Sequence, residues 1–415
     1  MLDLLQYRMK KANLQAVLAI VGLLLTGCCA CRSAPHSSPS SFYENIEMEA
    51  TVSALEARYD RLRLGVNLYG WFAGNDGLVA DHTHRLNFIK KTDAVRIRHA
   101  GFTNVRLCVT PAFLFNENSP SQFKDRNFLS SLNSSIKMLL DAGLSVTLVV
   151  FPNDAFKERL FRDKEFVAKF AMFWGALAAN FTDLNPDLLF FEIINEPNFI
   201  RFAPELRRAD SAEAEKSAAE KWNAVQEELL KAIRGAARKH TVVLTGDNLS
   251  KIRTLVETDP YGDPNVIYSV HIYDPYAFSH QGAPWDARVS GVKGLSYPTD
   301  LRNCEVIKQQ IPEKSRELVE TYCLIGWNKK LLERQVKLAV AWAEKHNVKI
   351  WIGEFGAYPN HAPQGRASQY LRDMRTIFEK YGLGWCVWEY EGWLDRLRNV
   401  ELTDALGLAR PDSLP

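Results

Sequence analysis

Apolar and polar positions fall in alternating blocks along this chain. Eight short runs are almost continuously apolar: LGVNLYG (64–70), TNVRLCVT (103–110), LSVTLVVF (144–151), LLFFEIIN (188–195), TVVLTG (241–246), NVIYSVHIY (265–273), VKIWIGEF (348–355) and LGWCVWEY (383–390). Most are rich in β-branched or aromatic residues. Continuous rather than alternating hydrophobicity predicts parallel strands covered on the outside by helices. The segments between them carry apolar residues at three- and four-residue spacing, as in FLSSLNSSIKMLLDAGL, which stops at Gly143. SAEAEKSAAEKWNAVQEELLKAIRGAARKH, rich in Ala, Glu and Lys, is the longest helix candidate. WNKKLLERQVKLAVAWAEKHN and ASQYLRDMRTIFEKYG repeat the pattern. Eight strand–helix units in order predict an α/β chain folded as a (β/α)8 barrel over 56–415. A doubly wound open sheet would want a Gly-rich phosphate loop after the first strand, and NLYGWFAGNDG does not match one. After the sixth strand, more than fifty residues rich in Pro, Gly and aromatics separate Tyr273 from Trp327. Their apolar content predicts a folded loop on the mouth side of the barrel.

The first residues read differently. Arg8, Lys10 and Lys11 precede the apolar run AVLAIVGLLLTG, Ala16 to Gly27, which is short for a bilayer span and of the length of a signal h-region. Met9 is an alternative start to Met1, because the basic residues cluster just after it. The run ends in LTGC, which resembles the bacterial lipobox. The resemblance implies a signal peptide over 1–27, cleavage before Cys28 and lipidation of that cysteine. Cys29 follows where an Asp would imply inner-membrane retention, so the anchor is expected in the outer membrane or at the cell surface. RSAPHSSPSS, within 28–55, reads as a tether.

Charge and cysteine usage narrow the partners. Removing residues 1–27 leaves 48 basic and 48 acidic residues, and no long basic run occurs, which argues against a nucleic-acid partner. Of seven cysteines, three cluster at the lipobox. Cys108 and Cys386 fall inside apolar strands and read as buried thiols. Cys304 and Cys323 lie in the long loop region and are a candidate disulfide in an exported chain. No spacing suggests a metal site.

In such a barrel the C-terminal ends of the strands face the active-site mouth. The second offers Arg106, the fourth Asn195 and Glu196, the sixth His271 and Tyr273, the seventh Glu354 and the eighth Trp388. A carboxylate at the tip of a buried strand is costly unless something there needs it. Two of them across one barrel mouth suit a retaining glycosidase, with one acid/base and one nucleophile roughly 5 Å apart. Glu192 shares parity with Glu196 and reads as a structural inward-facing polar residue.

The ordered set NEP, HIY, GEFG and a strand-eight Trp resembles glycoside hydrolase family 5, home of many endoglucanases, over about residues 60–400. HIYDPYAFSHQGAPW, His271 to Trp285, is similar to a segment of bacterial members. The resemblance implies Glu196 as acid/base and Glu354 as nucleophile. It implies that Asn195 binds the sugar 2-hydroxyl, that Arg106 holds Glu354 ionised, that Tyr273 donates to Glu354 and that His271 borders Glu196. Trp388 would stack on a pyranose, with Tyr69, Trp71 and Trp285 as further sugar contacts. No cofactor is implied. The expected substrate is a β-linked glucan, of 1,4 linkage, cut internally by a monomer. A mannanase, a xylanase, a β-1,3-glucanase or a non-catalytic carbohydrate-binding protein are the alternatives. The last arises because Phe151 stands where the family usually has a His after strand three. Asn153 or Asp154 is the expected substitute for part of its polar role.

Overall fold

A computed structural model of the chain describes residues 48–203 and 211–409. The leader, Cys28 and most of the tether lie outside the described residues. Eight parallel strands close into a barrel in sequence order, with β8 pairing back to β1. They are β1 (Leu64–Phe72), β2 (Asn104–Val109), β3 (Ser145–Val150), β4 (Leu189–Glu192), β5 (Val242–Thr245), β6 (Val266–Ile272), β7 (Lys349–Phe355) and β8 (Gly384–Val387). Each falls inside its expected apolar run except β1, which runs two residues past it to Phe72. The observed strands stop short at β4 and β8, where the chain leaves the ladder to form the rim.

The helices follow their sequence signals. Asp125 caps the helix Arg126–Asp141 by accepting from the backbone of Asn127 and Phe128. Gly143, at φ 81°, ends it in a left-handed turn. The longest helix, Ser211–Ala236, carries the Ala/Glu/Lys-rich segment. The helical ring covers the outward faces of the strands, such as Val105, Phe191 and Ile352, in one continuous apolar core.

Inward-facing residues form layers. At the bottom, Phe190, Val243, Ile267, Trp351 and Cys386 pack together. The helix Met48–Arg61 plugs this end with Leu55, Tyr59 and the following Leu62. The Tyr59 hydroxyl donates to the Ile350 carbonyl at 2.5 Å. One step up the layer is polar, with Asn67, Arg106 and Glu192. Glu192 is thus the inward structural residue its parity implied. Above these, Cys108 packs with Ala73 and Val149, and Tyr69, Phe151 and Trp388 rest on them.

The segment between β6 and the helix Lys329–His346 is folded, and more helical than its composition suggested. It contains Tyr276–Ser279, Leu301–Gln310 and Glu313–Ile325. Cys304 and Cys323 form the expected disulfide, with Cα atoms 6.0 Å apart. They staple two helices rather than irregular loop, a correction to their expected setting: the apolar spacing of these helices is interrupted by Pro and Gly and hard to read.

Candidate active site

Arg106 organises the barrel mouth from below. All five of its guanidinium N–H groups find acceptors in the fork geometry natural to Arg. Nε and Nη2 donate to the Glu192 carboxylate at 2.7 and 2.8 Å, Nη2 to Asn195 Oδ1 at 2.9 Å, and Nη1 to Asn67 Oδ1 at 2.9 Å and Glu354 Oε1 at 2.5 Å. The side chain is fully buried. Its two carboxylate neighbours raise its pKa against the opposing effect of burial, so it is a permanent cation.

Glu354 comes to this cation through an irregularity. On β7, Trp351 faces in and Ile352 out. The register with β6 then shifts, so that Val270 faces Ile352 but His271 faces Glu354. The extra residue is Gly353, and the bulge turns Glu354 inward, where simple alternation would point it at the helices. A Cβ on Gly353 would collide with Ser269 Oγ and sit 3.1 Å from His271 Nε2. The glycine is therefore required by close approach. The Tyr273 hydroxyl donates to Glu354 Oε2 at 2.9 Å.

Glu196 is held differently. It lies beyond the end of β4, at φ 46°, a left-handed backbone that non-glycine residues seldom adopt. Its side chain keeps 24% exposure, against 5% for Glu354. His271 Nδ1 lies 2.9 Å from Glu196 Oε1 and 3.7 Å from Glu354 Oε2. One atom each of Glu196, His271 and Glu354 lie within 4.8 Å of one another. A metal would be poorly placed there, because both Glu354 oxygens already accept hydrogen bonds and a buried guanidinium stands behind them.

Burial sets the protonation of the site. It pushes the Glu196 carboxyl above the ordinary range, while Lys157, Arg106 and Lys251 pull it back. It pushes Glu354 up as well, opposed by His271, Arg106 and the Tyr273 hydroxyl. The Arg106 guanidinium, expected to hold Glu354 ionised, favours the anion against the opposing desolvation. Burial lowers His271 to about 4, so the imidazole between the two carboxyls is neutral. The same force lifts the Tyr273 phenol far above its usual value and keeps it a donor.

These groups open into a cleft of about 770 Å³. Trp388 and Trp285 line it, Trp285 with 59% exposure. Phe151 lines it too, 5.1 Å from the Tyr69 ring, and Tyr69 lies 5.3 Å from Trp388. The place of the missing histidine is thus part of an aromatic wall. Trp71 is not in the cleft. It is 1% exposed, packs on Phe72 and donates through Nε1 to the Arg85 carbonyl at 2.7 Å. Its expected sugar contact is corrected, since it lies inside the helix–strand core. Asn153 and Asp154 are corrected likewise. Asn153 accepts from Phe156 N as a helix cap, and Asp154 pairs with Arg201. Neither replaces a polar group in the cleft.

Several residues of the site were missed by sequence reasoning. Asn67 had a visible signal, a lone amide in the apolar run LGVNLYG. Glu389 and Glu391 follow Trp388 in WEYEGW. Burial raises them to about 7 and about 8, and Glu389 lines the cleft near the Glu354 charge. Leu249, Lys251 and Trp393 also line the cleft, and nothing local in the sequence marked them.

A parallel barrel whose mouth sets two carboxyls this close, over a buried arginine and between aromatic walls, has the build of a glycoside hydrolase. The chain belongs to glycosyl hydrolase family 5: the Cellulase model of that family matches residues 75–392. It is 24% identical over 382 residues to Endoglucanase 3 of Fibrobacter succinogenes, covering 88% of this chain and 55% of that one, so it spans about half of that relative's length. It is 24% identical over 336 residues to Endoglucanase C of Acetivibrio thermocellus, covering 79% of this chain and 91% of the other. Among solved structures, endoglucanase Cel5A of Thermotoga maritima superposes with a TM-score of 0.66 at 25% identity, covering 85% of this chain and 99% of that one. The same protein is also known with cellobiose bound.

Proposed function

We propose that this chain hydrolyses internal bonds of a β-glucan, of 1,4 linkage, with retention of anomeric configuration. The observation that carries this reading is the unequal environment of two carboxyls whose nearest oxygens lie within 4.8 Å. That spacing leaves no room for a water between sugar and carboxylate, as an inverting enzyme needs, and suits direct attack by one of them.

The roles follow from the partners. Glu354 receives two donors, Arg106 and Tyr273, which stabilise its anion. Glu196 has a neutral imidazole as its hydrogen-bond partner and is the more exposed. Glu354 is therefore the first to ionise, and it attacks the anomeric carbon to form a glycosyl-enzyme. Glu196, whose carboxyl burial raises above the ordinary range and which lacks a cation hydrogen-bonded to it among the described residues, gives its proton to the departing glycosidic oxygen and later takes one from the attacking water. Asn195 is locked through its oxygen by Arg106, which leaves its NH2 to donate to the sugar 2-hydroxyl. Trp388 and Trp285 provide apolar faces for pyranose rings. The named endoglucanase relatives, and cellobiose in the Thermotoga maritima neighbour, support a glucan substrate. A mature monomer tethered to the outer membrane through lipidated Cys28 would present this cleft to an extracellular polymer.

The test is reducing-end release from carboxymethylcellulose, mixed-linkage glucan, glucomannan and xylan, with Glu354→Gln beside the wild type. Activity that vanishes in the variant, with the β-anomer formed first by proton NMR, supports the reading. Phe151 in the cleft wall favours a second one, glycan binding without turnover. Intact binding with no turnover on any polymer would select it.

A further inference from the structure

The rim after β5 carries an unusual stretch of backbone. In TGDNLSK, 245–251, the residues Asn248, Leu249 and Ser250 all take left-handed conformation, at φ 54°, 63° and 58°. Each costs on the order of 1 kcal/mol or more, and such strain persists only where the surroundings over-determine it. On the outer side the rim is tied to helices. The Thr245 N–H donates to Gln226 Oε1 at 2.9 Å, and the Thr245 carbonyl accepts from Trp222 Nε1 at 2.8 Å. Thr254 Oγ1 donates to the Asp247 carbonyl at 2.6 Å. A Cβ on Gly246 would lie 2.7 Å from Leu255 N, so the two segments are in direct contact.

On the inner side the same rim grips the chain that follows Glu196. The Leu249 N–H donates to the Pro197 carbonyl at 2.8 Å. Asp247, 1% exposed, accepts from Phe199 N at 2.7 Å through Oδ1 and from Ile200 N at 3.1 Å through Oδ2. Upstream, the Asn195 N–H is fixed to the Val150 carbonyl at 2.8 Å. Glu196 thus sits in its strained conformation between two anchored flanks. A buried carboxylate is an expensive way to cap one short turn unless its position matters.

We propose that Asp247 is a positioning residue for the general acid Glu196, acting through the backbone of 197–200. This rests on the acid/base role given to Glu196 above. A proton donor must meet the glycosidic oxygen within a few tenths of an ångström, so a relaxed 197–200 segment weakens proton transfer while leaving Glu354 untouched.

The experiment uses leaving groups. Glycosyl transfer to Glu354 needs the acid when the leaving group is a sugar and hardly needs it when it is 2,4-dinitrophenolate. For Asp247→Asn, kcat/KM on cellopentaose should fall about 30-fold, while kcat/KM on 2,4-dinitrophenyl β-cellobioside stays within about threefold. Glu196→Ala is the control and should show a larger split of the same sign. Equal loss on both substrates for Asp247→Asn, or no loss on either, overturns the proposal. Absence of a split in Glu196→Ala overturns the acid/base reading, and the positioning role with it. If Asp247→Asn does not fold, Thr254→Val, which frees the Asp247 and Lys251 carbonyls and leaves the Asp247 carboxylate intact, takes its place. A smaller split of the same sign then supports the proposal and no split overturns it.

Discussion

The two carboxyls at the mouth are placed by opposite means. Glu354 belongs to a strand, is turned inward by one extra glycine, and is held from below by a fully buried guanidinium. Glu196 stands off the strand on strained backbone, more exposed, with a neutral histidine as its side-chain partner. The difference matches the two tasks proposed for them. A nucleophile must become an anion at one fixed point, so rigid charge-assisted hydrogen bonds serve it. An acid/base must exchange a proton with two different oxygens in turn, so it needs partial exposure and a raised pKa, with its position set by the backbone.

The largest effect that would break this contrast comes from Arg106→Met. It leaves Glu192 and Glu354 buried without their cation and should destabilise the fold by about 3–5 kcal/mol, read from chemical denaturation. Turnover should fall alike on cellopentaose and on the dinitrophenyl glycoside, because the Glu354 side is damaged. A loss confined to poor leaving groups would place Arg106 in the service of Glu196 instead.

Gly353→Ala tests the bulge. The added methyl crowds Ser269 and His271 and should cost about 1–3 kcal/mol in stability. Turnover should drop on both substrate types, since both carboxyls share His271. An unchanged melting temperature with unchanged kcat would mean that β7 has room its packing does not show.

Charge around Glu196 gives a smaller and more directed effect. Lys157 lowers the Glu196 pKa, so Lys157→Met should raise it. In the proposed mechanism Glu196 must be protonated for glycosyl transfer, so the alkaline limb of kcat/KM should move to higher pH. The acid limb, set by ionisation of Glu354, should move less. Movement of the acid limb alone would reverse the assignment of the two glutamates.

Trp285→Ala should matter least. An exposed stacking face worth about 1 kcal/mol would raise KM some fivefold with kcat nearly unchanged. A fall in kcat would bring Trp285 into the reacting subsite.

Much of this molecule was legible in the order of its residues. Eight continuous apolar runs separated by amphipathic segments leave little but a closed parallel barrel, because strands buried on both faces need helices outside and each other at the edges. Once strand ends are known to face the mouth, Arg106, Asn195, Glu196, His271, Tyr273, Glu354 and Trp388 are found by position alone. Folding decided the rest. Trp71 and Trp285 look alike in sequence, yet one fills the core and the other lines the cleft, since exposure is a property of what packs around a residue. The bulge at Gly353, the engagement of Glu192 with Arg106 and the grip of Asp247 on 199–200 join residues 47 to 86 positions apart or depend on a one-residue slip in register. Local pattern carries the period of a strand and the type of a side chain. Close approach, burial and the resulting protonation arise only when distant segments are brought within a few ångströms, where desolvation and hydrogen bonding become strong enough to choose between one carboxyl and another.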